Sequence, residues 1–138
     1  MTLIPLLLLA GAEVALRVTG YGYDPDYFQA LRIGGEDFLV QNENFSRRFF
    51  PGEVSRQPAA IRMKAHKPAG ALRVFVLGES AAMGDPEPAC GPARYMEVLL
   101  RERHPEKEIE IVNVAFTAIN SHVILPIARE CAEHDGDV

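Results

Sequence analysis

Two short runs of β-branched and aromatic residues constrain the fold of this chain more than any other feature. Ala71–Leu77 and Ile109–Val114 have the length and composition of buried strands. Pro92–Arg103 lies between them and predicts an amphipathic helix, and Ser121 predicts the N-cap of a second helix that reaches about Glu133. The order strand, helix, strand, helix predicts an α/β sandwich of parallel strands joined by right-handed crossovers. Chemistry in such folds lies at the carboxyl ends of the strands.

The charge of the chain changes along its length. Residues 1–70 contain eight Lys or Arg and seven Asp or Glu, whereas residues 71–138 contain six and twelve. We therefore place a boundary near Gly70, between an acidic domain and a preceding segment of a different kind. The hydrophobic content of 48% is that of a globular protein. The net charge of -5 provides no general attraction to nucleic acid, which is therefore not an expected partner.

Residues 1–18 are expected to form a hydrophobic, anchor-like helix. Leu3–Ala12 is an apolar run that Glu13 interrupts and Arg17 closes. The run is shorter than the roughly 20 residues that span a bilayer, and it lacks the positive residues that begin a signal peptide. We expect a membrane anchor whose beginning precedes this start site, with the domain outside the cytoplasm, because the Leu-rich run shows no helical stripe. A hydrophobic helix packed on the domain is the alternative.

Residues 19–70 are rich in glycine and proline, which excludes long helices. Short extended pieces such as Asp37–Gln41 are the most regular structure expected there. The aromatic residues of this segment include Tyr21, Tyr23, Tyr27, Phe28, Phe45, Phe49 and Phe50. Clustered aromatic side chains usually pack against a surface, so we expect the segment to be a linker or a cover for the domain.

The two cysteines give no indication of a metal site. Cys90 and Cys131 do not form a Cys-x-x-Cys pair, and neither has a histidine at zinc-ligand spacing. We expect two buried free thiols. A disulfide stays open as the alternative if the domain is exported.

The first predicted strand leads directly to a candidate nucleophile. Ser80 follows the strand closely, at the sheet edge where a hydroxyl is exposed on a tight turn near free backbone N–H groups. A phosphate-binding loop is disfavoured, because Gly84 is followed by Asp85 instead of lysine. A dinucleotide-binding loop is also disfavoured, because the chain has no glycine between Gly78 and Gly84 where the fingerprint requires one. A Gly-x-Ser-x-Gly elbow has Ala82 in place of its second glycine.

A more specific pattern covers the same residues. Gly78-Glu79-Ser80 resembles block I, Gly-Asp-Ser, of the SGNH (GDSL-like) hydrolases, with glutamate in place of aspartate. The second strand and the turn after it, residues 111–121, resemble block II, whose glycine falls on Ala118. The two matches occur in the family's order. The resemblance implies a flavodoxin-like, three-layer α/β sandwich with a parallel sheet, of which residues 71–138 are the N-terminal part.

The resemblance also implies roles for individual residues. Ser80 corresponds to the nucleophile, and the backbone N–H of Ala118 corresponds to an oxyanion donor. Gly78, Glu79 and Asn113 are expected to support them. Glu79 is expected to orient the turn by hydrogen bonding, and Asn113 to hold the block II turn through side-chain to backbone hydrogen bonds.

Two further blocks of the family have no counterpart in the chain. The block III asparagine and the block V Asp-x-x-His, which supplies the general base, are both absent. Asp135–Val138 is typical of the approach to a third strand, so we expect the chain to end before block III and to be inactive by itself. His122 is expected to be a surface histidine, and His66, His104 and His134 receive no role.

The sequence therefore predicts part of a serine ester hydrolase that acts through an acyl-serine intermediate. This reaction needs neither a cofactor nor a metal. An O-acylated glycan and a lipid are both suitable ester substrates, and the residues do not select between them. The alternative is a non-catalytic SGNH-like or flavodoxin-like module that binds a ligand or a protein.

Overall fold

The computed structural model of the protein describes residues 3–138. Its first element is the helix α1, Leu3–Val18. A helix is predicted for residues 1–18, and Met1 and Thr2 lie outside the described residues. None of the residues of α1 is buried. Among residues 3–138, no helix combines the length and the apolar character that crossing a membrane requires.

Residues 19–70 contain more regular structure than the sequence predicts. Three strands, β1 (Phe28–Ile33), β2 (Glu36–Gln41) and β3 (Arg62–Lys64), form an antiparallel sheet in that order. Gly34 and Gly35 join β1 to β2 with φ values of +59° and +92°. Left-handed conformations of this kind belong to two-residue hairpin turns. The predicted extended piece Asp37–Gln41 is confirmed, since it lies within β2. The assembly of three short strands into a sheet was not predicted, and the two glycines connect strands of that sheet.

The second half of the chain follows the predicted order of elements. The strands β4 (Leu72–Val76) and β5 (Ile109–Asn113) pair in parallel, with Val76 opposite Asn113. Between them lie the one-turn helix α2 (Ser80–Met83), a 3-10 helix (Pro88–Cys90) and the helix α3 (Pro92–Arg103). The helix α4 (Ser121–Ala132) follows β5. The chain thus has a mixed α/β fold with a parallel pair of strands and a separate antiparallel sheet.

The last residues of the chain lie along the edge of β4 that β5 does not occupy. The Asp137 N–H donates to the Arg73 carbonyl at 2.8 Å, and the Phe75 N–H donates to the Val138 carbonyl at 3.1 Å. Gly136 packs closely on the Phe75 ring, since a Cβ atom there would lie 2.9 Å from the ring. Residues 135–138 are not a strand, so these two hydrogen bonds attach the segment to the free edge of β4 without extending the sheet.

One hydrophobic core joins the two halves of the chain. Tyr27 and Phe45, from the segment predicted to be a linker or a cover, are fully buried. Their rings meet edge to face with centroids 5.2 Å apart, and the ring of Phe45 lies 6.4 Å from that of Phe116 after β5. Residues 27–50 therefore cover the second half as part of its core, not as a free linker.

A carboxylate on α4 fixes the start of β1. Glu130 accepts hydrogen bonds from the backbone N–H of Tyr27 at 2.7 Å and of Phe28 at 3.1 Å. Burial raises the pKa of the Glu130 carboxyl, although the two N–H donors oppose the rise. Tyr27 and Phe28 are 103 and 102 positions from Glu130 in the sequence, so this side chain connects two distant segments of the chain.

Candidate active-site turns

Ser80 lies where the sequence predicts, on a tight turn after the first parallel strand. It is the first residue of α2 and is half-buried. Its backbone N–H has no acceptor within the helix, since the first N–H groups of any helix lack one. Gly78 precedes it with φ of +155°, and a Cβ atom there would lie 2.6 Å from the Ala82 side chain. Only glycine fits this close approach, which packs the residues between β4 and α2 against the helix that carries Ser80.

The turn after Ser80 is closed by backbone hydrogen bonds. The Ser80 carbonyl accepts from the N–H of Gly84 at 3.0 Å and of Asp85 at 2.9 Å. Gly84 has a left-handed φ of +90° and packs against Gly91, because a Cβ atom on Gly84 would lie 2.7 Å from the Gly91 Cα. The sequence analysis assigned no role to this glycine pair. The sequence signal for this contact was the pair of glycines seven positions apart, on either side of a proline-rich turn.

Asn113 connects the two turns. Its side-chain amide donates to the carbonyls of Ala82 at 3.0 Å and Met83 at 3.3 Å, both in α2. Its side-chain oxygen accepts from the Ala115 N–H at 3.2 Å, which is the expected bond within the turn after β5. One amide at the end of β5 therefore holds its own turn and the helix that carries Ser80.

A second contact between the turns involves residues that the sequence analysis did not select. The Thr117 hydroxyl donates to the Asp85 carboxylate at 3.3 Å and lies 3.6 Å from the Met83 sulfur. Thr117 is adjacent to Ala118 in the turn after β5. The turn that carries Ala118 is thus attached to the turn that carries Ser80. The sequence contains no signal for this contact, because short polar residues such as Thr117 and Asp85 are common in loops.

Ala118 is exposed and has φ of +62°, one of two positive values among the described residues other than glycine. An alanine in this left-handed region is strained by about 1–2 kcal/mol, because its Cβ approaches the backbone carbonyl. The family resemblance places a glycine here, and glycine is the residue that this conformation favours. The backbone therefore has a conformation that favours glycine, while the sequence has alanine.

Replacing Ala118 by glycine is expected to raise the free energy of unfolding by about 1 kcal/mol, because the left-handed strain is relieved. Urea unfolding followed by circular dichroism, in a non-ionic detergent that shields α1, would measure it. Ala128→Gly is the matched control, since Ala128 lies inside α4. Glycine in a helix interior costs about 1 kcal/mol, so the two variants should shift stability in opposite directions. A loss of stability in both would contradict the assignment of strain.

Two details of the predicted site differ in the structure. Glu79 is exposed and makes no side-chain hydrogen bond to the helix it precedes, so the expected orienting bond is not formed. The N-cap of α4 is Asn120 instead of Ser121, and its side-chain oxygen accepts from the N–H groups of His122 and Val123. Both Asn and Ser suit this position, and the tight turn ending at Ile119 brings the cap one residue earlier.

The histidines contact groups outside the two turns. His122 is exposed, as expected, and its ring lies 5.7 Å from that of Phe49. The His134 ring lies 5.0 Å from that of Phe28, where burial lowers the pKa of the imidazole. His104 lies 3.7 Å from the Glu106 carboxylate. None of these contacts orients an imidazole toward Ser80, so they identify no general base.

The cysteines are both free, and only Cys131 is buried. The expectation of two buried thiols was wrong for Cys90, which is exposed beside the proline-rich turn. Burial raises the pKa of the Cys131 thiol to about 12, so this sulfur stays protonated at neutral pH and is a poor nucleophile. Within residues 3–138, no three His, Cys, Asp or Glu side chains form a group that could hold a metal ion.

Comparison of the chain with protein-family models, curated proteins and solved structures gives no match.

Proposed function

We propose that this chain carries the nucleophile and two oxyanion donors of a serine ester hydrolase. The observation that carries the proposal is the position of Ser80, on a one-turn helix directly after a parallel strand, joined through Asn113 to the turn of Ala118. Nucleophilic serines require such a turn at the carboxyl edge of a sheet. The proposal includes a three-layer sandwich, in which β4 and β5 are neighbouring strands of one parallel sheet.

The proposed reaction proceeds in two steps. In the first, the Ser80 Oγ attacks the acyl carbonyl, the ester C–O bond breaks, and the alcohol leaves with the proton that a base took from the hydroxyl. In the second, water gives a proton to the base and attacks the acyl-serine, the bond between the acyl carbon and Oγ breaks, and the base returns the proton to Ser80 as the carboxylic acid leaves. The N–H groups of Ser80 and Ala118 would stabilise the negative oxygen of each tetrahedral intermediate. No cofactor takes part in either step.

The substrate is proposed to be an ester of a glycan or a lipid. The net charge of -5 does not favour binding to nucleic acid or to another polyanion. The exposed turns of Ser80 and Ala118 lie on the surface and not in a deep cavity of the protein, because Ala118, Glu79 and Ala81 are all exposed. An acyl group on a large carrier could reach such a surface.

The test is covalent labelling with a fluorophosphonate probe, followed by peptide mass spectrometry. In the longest natural polypeptide that contains residues 71–138, we expect labelling at Ser80 and none in Ser80→Ala. Ser121→Ala is the matched control, because Ser121 is an exposed serine that follows the second turn, and it should be labelled like the wild type. In the 138-residue chain alone we expect only background labelling, since the chain has no Asp-x-x-His to supply a base.

The same experiment separates the enzyme from the alternative. If the longest polypeptide is folded and Ser80 is not labelled, the ester hydrolase proposal is wrong. A non-catalytic SGNH-like or flavodoxin-like binding module would then be the better interpretation. Circular dichroism of the same sample establishes that it is folded, so an unfolded protein cannot be mistaken for an inactive one.

A further inference from the structure

The first half of the helix α1 is apolar around its whole circumference. Leu6, Leu7, Leu8 and Leu9 are between 61% and 70% exposed. Successive residues of a helix are separated by about 100°, so these four side chains point in all directions. A helix that packs on one protein surface has an apolar stripe on one side and polar residues on the other. The side chains of α1 can all be covered only by a medium that surrounds the helix.

The chain after α1 forms a collar of tyrosine and arginine side chains. Tyr21 and Tyr23 are 79% and 61% exposed. The Arg47 guanidinium donates to the Tyr23 hydroxyl at 2.5 Å and lies 4.8 Å from the centre of its ring. Arg48 donates to the Pro25 carbonyl at 3.3 Å. The Tyr–Arg collar, defined as Tyr21, Tyr23, Arg47 and Arg48, therefore links the end of the apolar helix to the folded part of the chain.

We propose that α1 inserts into a lipid bilayer and that the Tyr–Arg collar binds the phosphates of the lipid headgroups. The 16 residues of α1 are about 24 Å long at 1.5 Å per residue, within the roughly 30 Å of the hydrocarbon layer. Tyrosine is enriched at the boundary between lipid and water, and arginine binds phosphate there. The only charged side chains of α1, Glu13 and Arg17, pair with each other at 2.6 Å in its last two turns.

The collar also defines which face of the domain meets the membrane. Arg47 and Arg48 belong to the 3-10 helix Phe45–Arg48, and Phe49 follows it. Phe49 packs on His122, just after the turn that carries Ala118. The headgroups would therefore contact the segment that covers this turn. The proposal does not depend on the hydrolase, because it rests on α1 and the collar alone.

Flotation of the full chain with vesicles tests the insertion. We expect binding to phosphatidylcholine vesicles, and stronger binding when about 30 mol% phosphatidylglycerol is included, since anionic lipid attracts arginine. Leu8→Glu should lower the partition coefficient at least tenfold, because a carboxylate in the hydrocarbon is costly. Val54→Glu is the matched control, since Val54 is 61% exposed, close to the 70% of Leu8, but lies outside α1. It should bind like the wild type.

Variants of the collar test the headgroup contact. Arg47→Gln should weaken binding to the anionic vesicles about fivefold, as expected for the loss of one arginine near a negative surface. It should weaken binding to phosphatidylcholine vesicles to a smaller extent, because these lipids offer a phosphate but no net negative charge. Arg103→Gln removes the same charge from the exposed end of α3 and should bind both vesicles like the wild type. If the two variants lose the same affinity for anionic vesicles, the effect of Arg47 is one of net charge alone. The proposed contact between the collar and the headgroups would then be wrong.

A fluorescent reporter gives the depth of the collar directly. The chain contains no tryptophan, so Tyr21→Trp introduces a single one, and vesicles should shift its emission to shorter wavelength. Lipids with a quencher near the headgroup should quench it more than lipids with a quencher at the chain end. Tyr95→Trp, on α3 and 63% exposed, should show neither effect. The proposal is overturned if the wild type floats with neither vesicle. If Leu8→Glu then converts a dimer into a monomer, the partner of α1 is a second copy of the chain.

Discussion

Replacing Arg73 by methionine is expected to lower the free energy of unfolding by about 3–5 kcal/mol, because it leaves a carboxylate without its buried partner. Arg73 is completely buried. Its guanidinium binds the Glu110 carboxylate at 2.9 Å and donates to the carbonyls of Lys64 at 2.8 Å and His134 at 2.9 Å. These partners belong to β5, to β3 and to the segment after α4. One side chain thus connects both sheets with the end of the chain.

The measurement is urea unfolding of the full chain in a non-ionic detergent, followed by circular dichroism. Arg94→Met is the matched control, because Arg94 also pairs with a glutamate, Glu97, but its side chain is 53% exposed. Exposed ion pairs contribute little to the free energy of unfolding, so this variant should change that free energy by less than about 1 kcal/mol. The double variant Arg73→Met with Glu110→Met should recover part of the loss, since no unpaired charge is left. Equal effects of Arg73→Met and Arg94→Met would show that the buried network does not hold the sheets together.

This network also indicates why part of the fold could not be predicted. The strands β4 and β5 and the helix α3 were predictable, because the apolar pattern of each is contained in a few neighbouring residues. Arg73 interrupts the apolar pattern of its strand as a surface residue would. Its burial depends on Lys64, Glu110 and His134, which lie on separate segments of the chain. Single-sequence reasoning has no access to such partners.

The pairing of the strands in residues 27–50 and the surface that this segment covers could not be predicted for a similar reason. Its glycines and prolines predict turns, and its aromatic residues predict packing on some surface. The surface itself is built from Phe116 and α4, far along the chain, and Glu130 fixes the start of β1 from there. Local signals therefore identified a segment that packs, whereas its strands and its site of packing depended on tertiary contacts.

At the candidate site, the positions of Ser80 and Asn113 followed from the strand ends. The carboxyl ends of parallel strands meet at one edge, so the residues after them are brought together. The contact of Thr117 with Asp85 was not predictable, because it depends on the relative height of two turns. The same is true of Gly84 and Gly91, whose role appears only when the backbone of one is placed against the other.

Replacing Gly84 by alanine is expected to lower the free energy of unfolding by about 2–4 kcal/mol, since two costs add at this position. The first is the left-handed φ of +90°. The second is steric, because the new Cβ would lie 2.7 Å from the Gly91 Cα and 3.0 Å from the Pro88 Cα, which are backbone atoms that cannot rotate away. The turn that closes after Ser80 would have to shift.

Gly34→Ala separates the two costs. Gly34 also has a left-handed φ, +59°, but a Cβ atom there would have nothing within 4 Å. It should therefore cost only about 1 kcal/mol, the strain of a left-handed alanine. Both variants are compared by urea unfolding under the same detergent conditions. If Gly84→Ala loses no more stability than Gly34→Ala, the backbone contact between Gly84 and Gly91 does not fix α2. If it loses more, the close packing of these two glycines is what holds the Ser80 helix in place after β4.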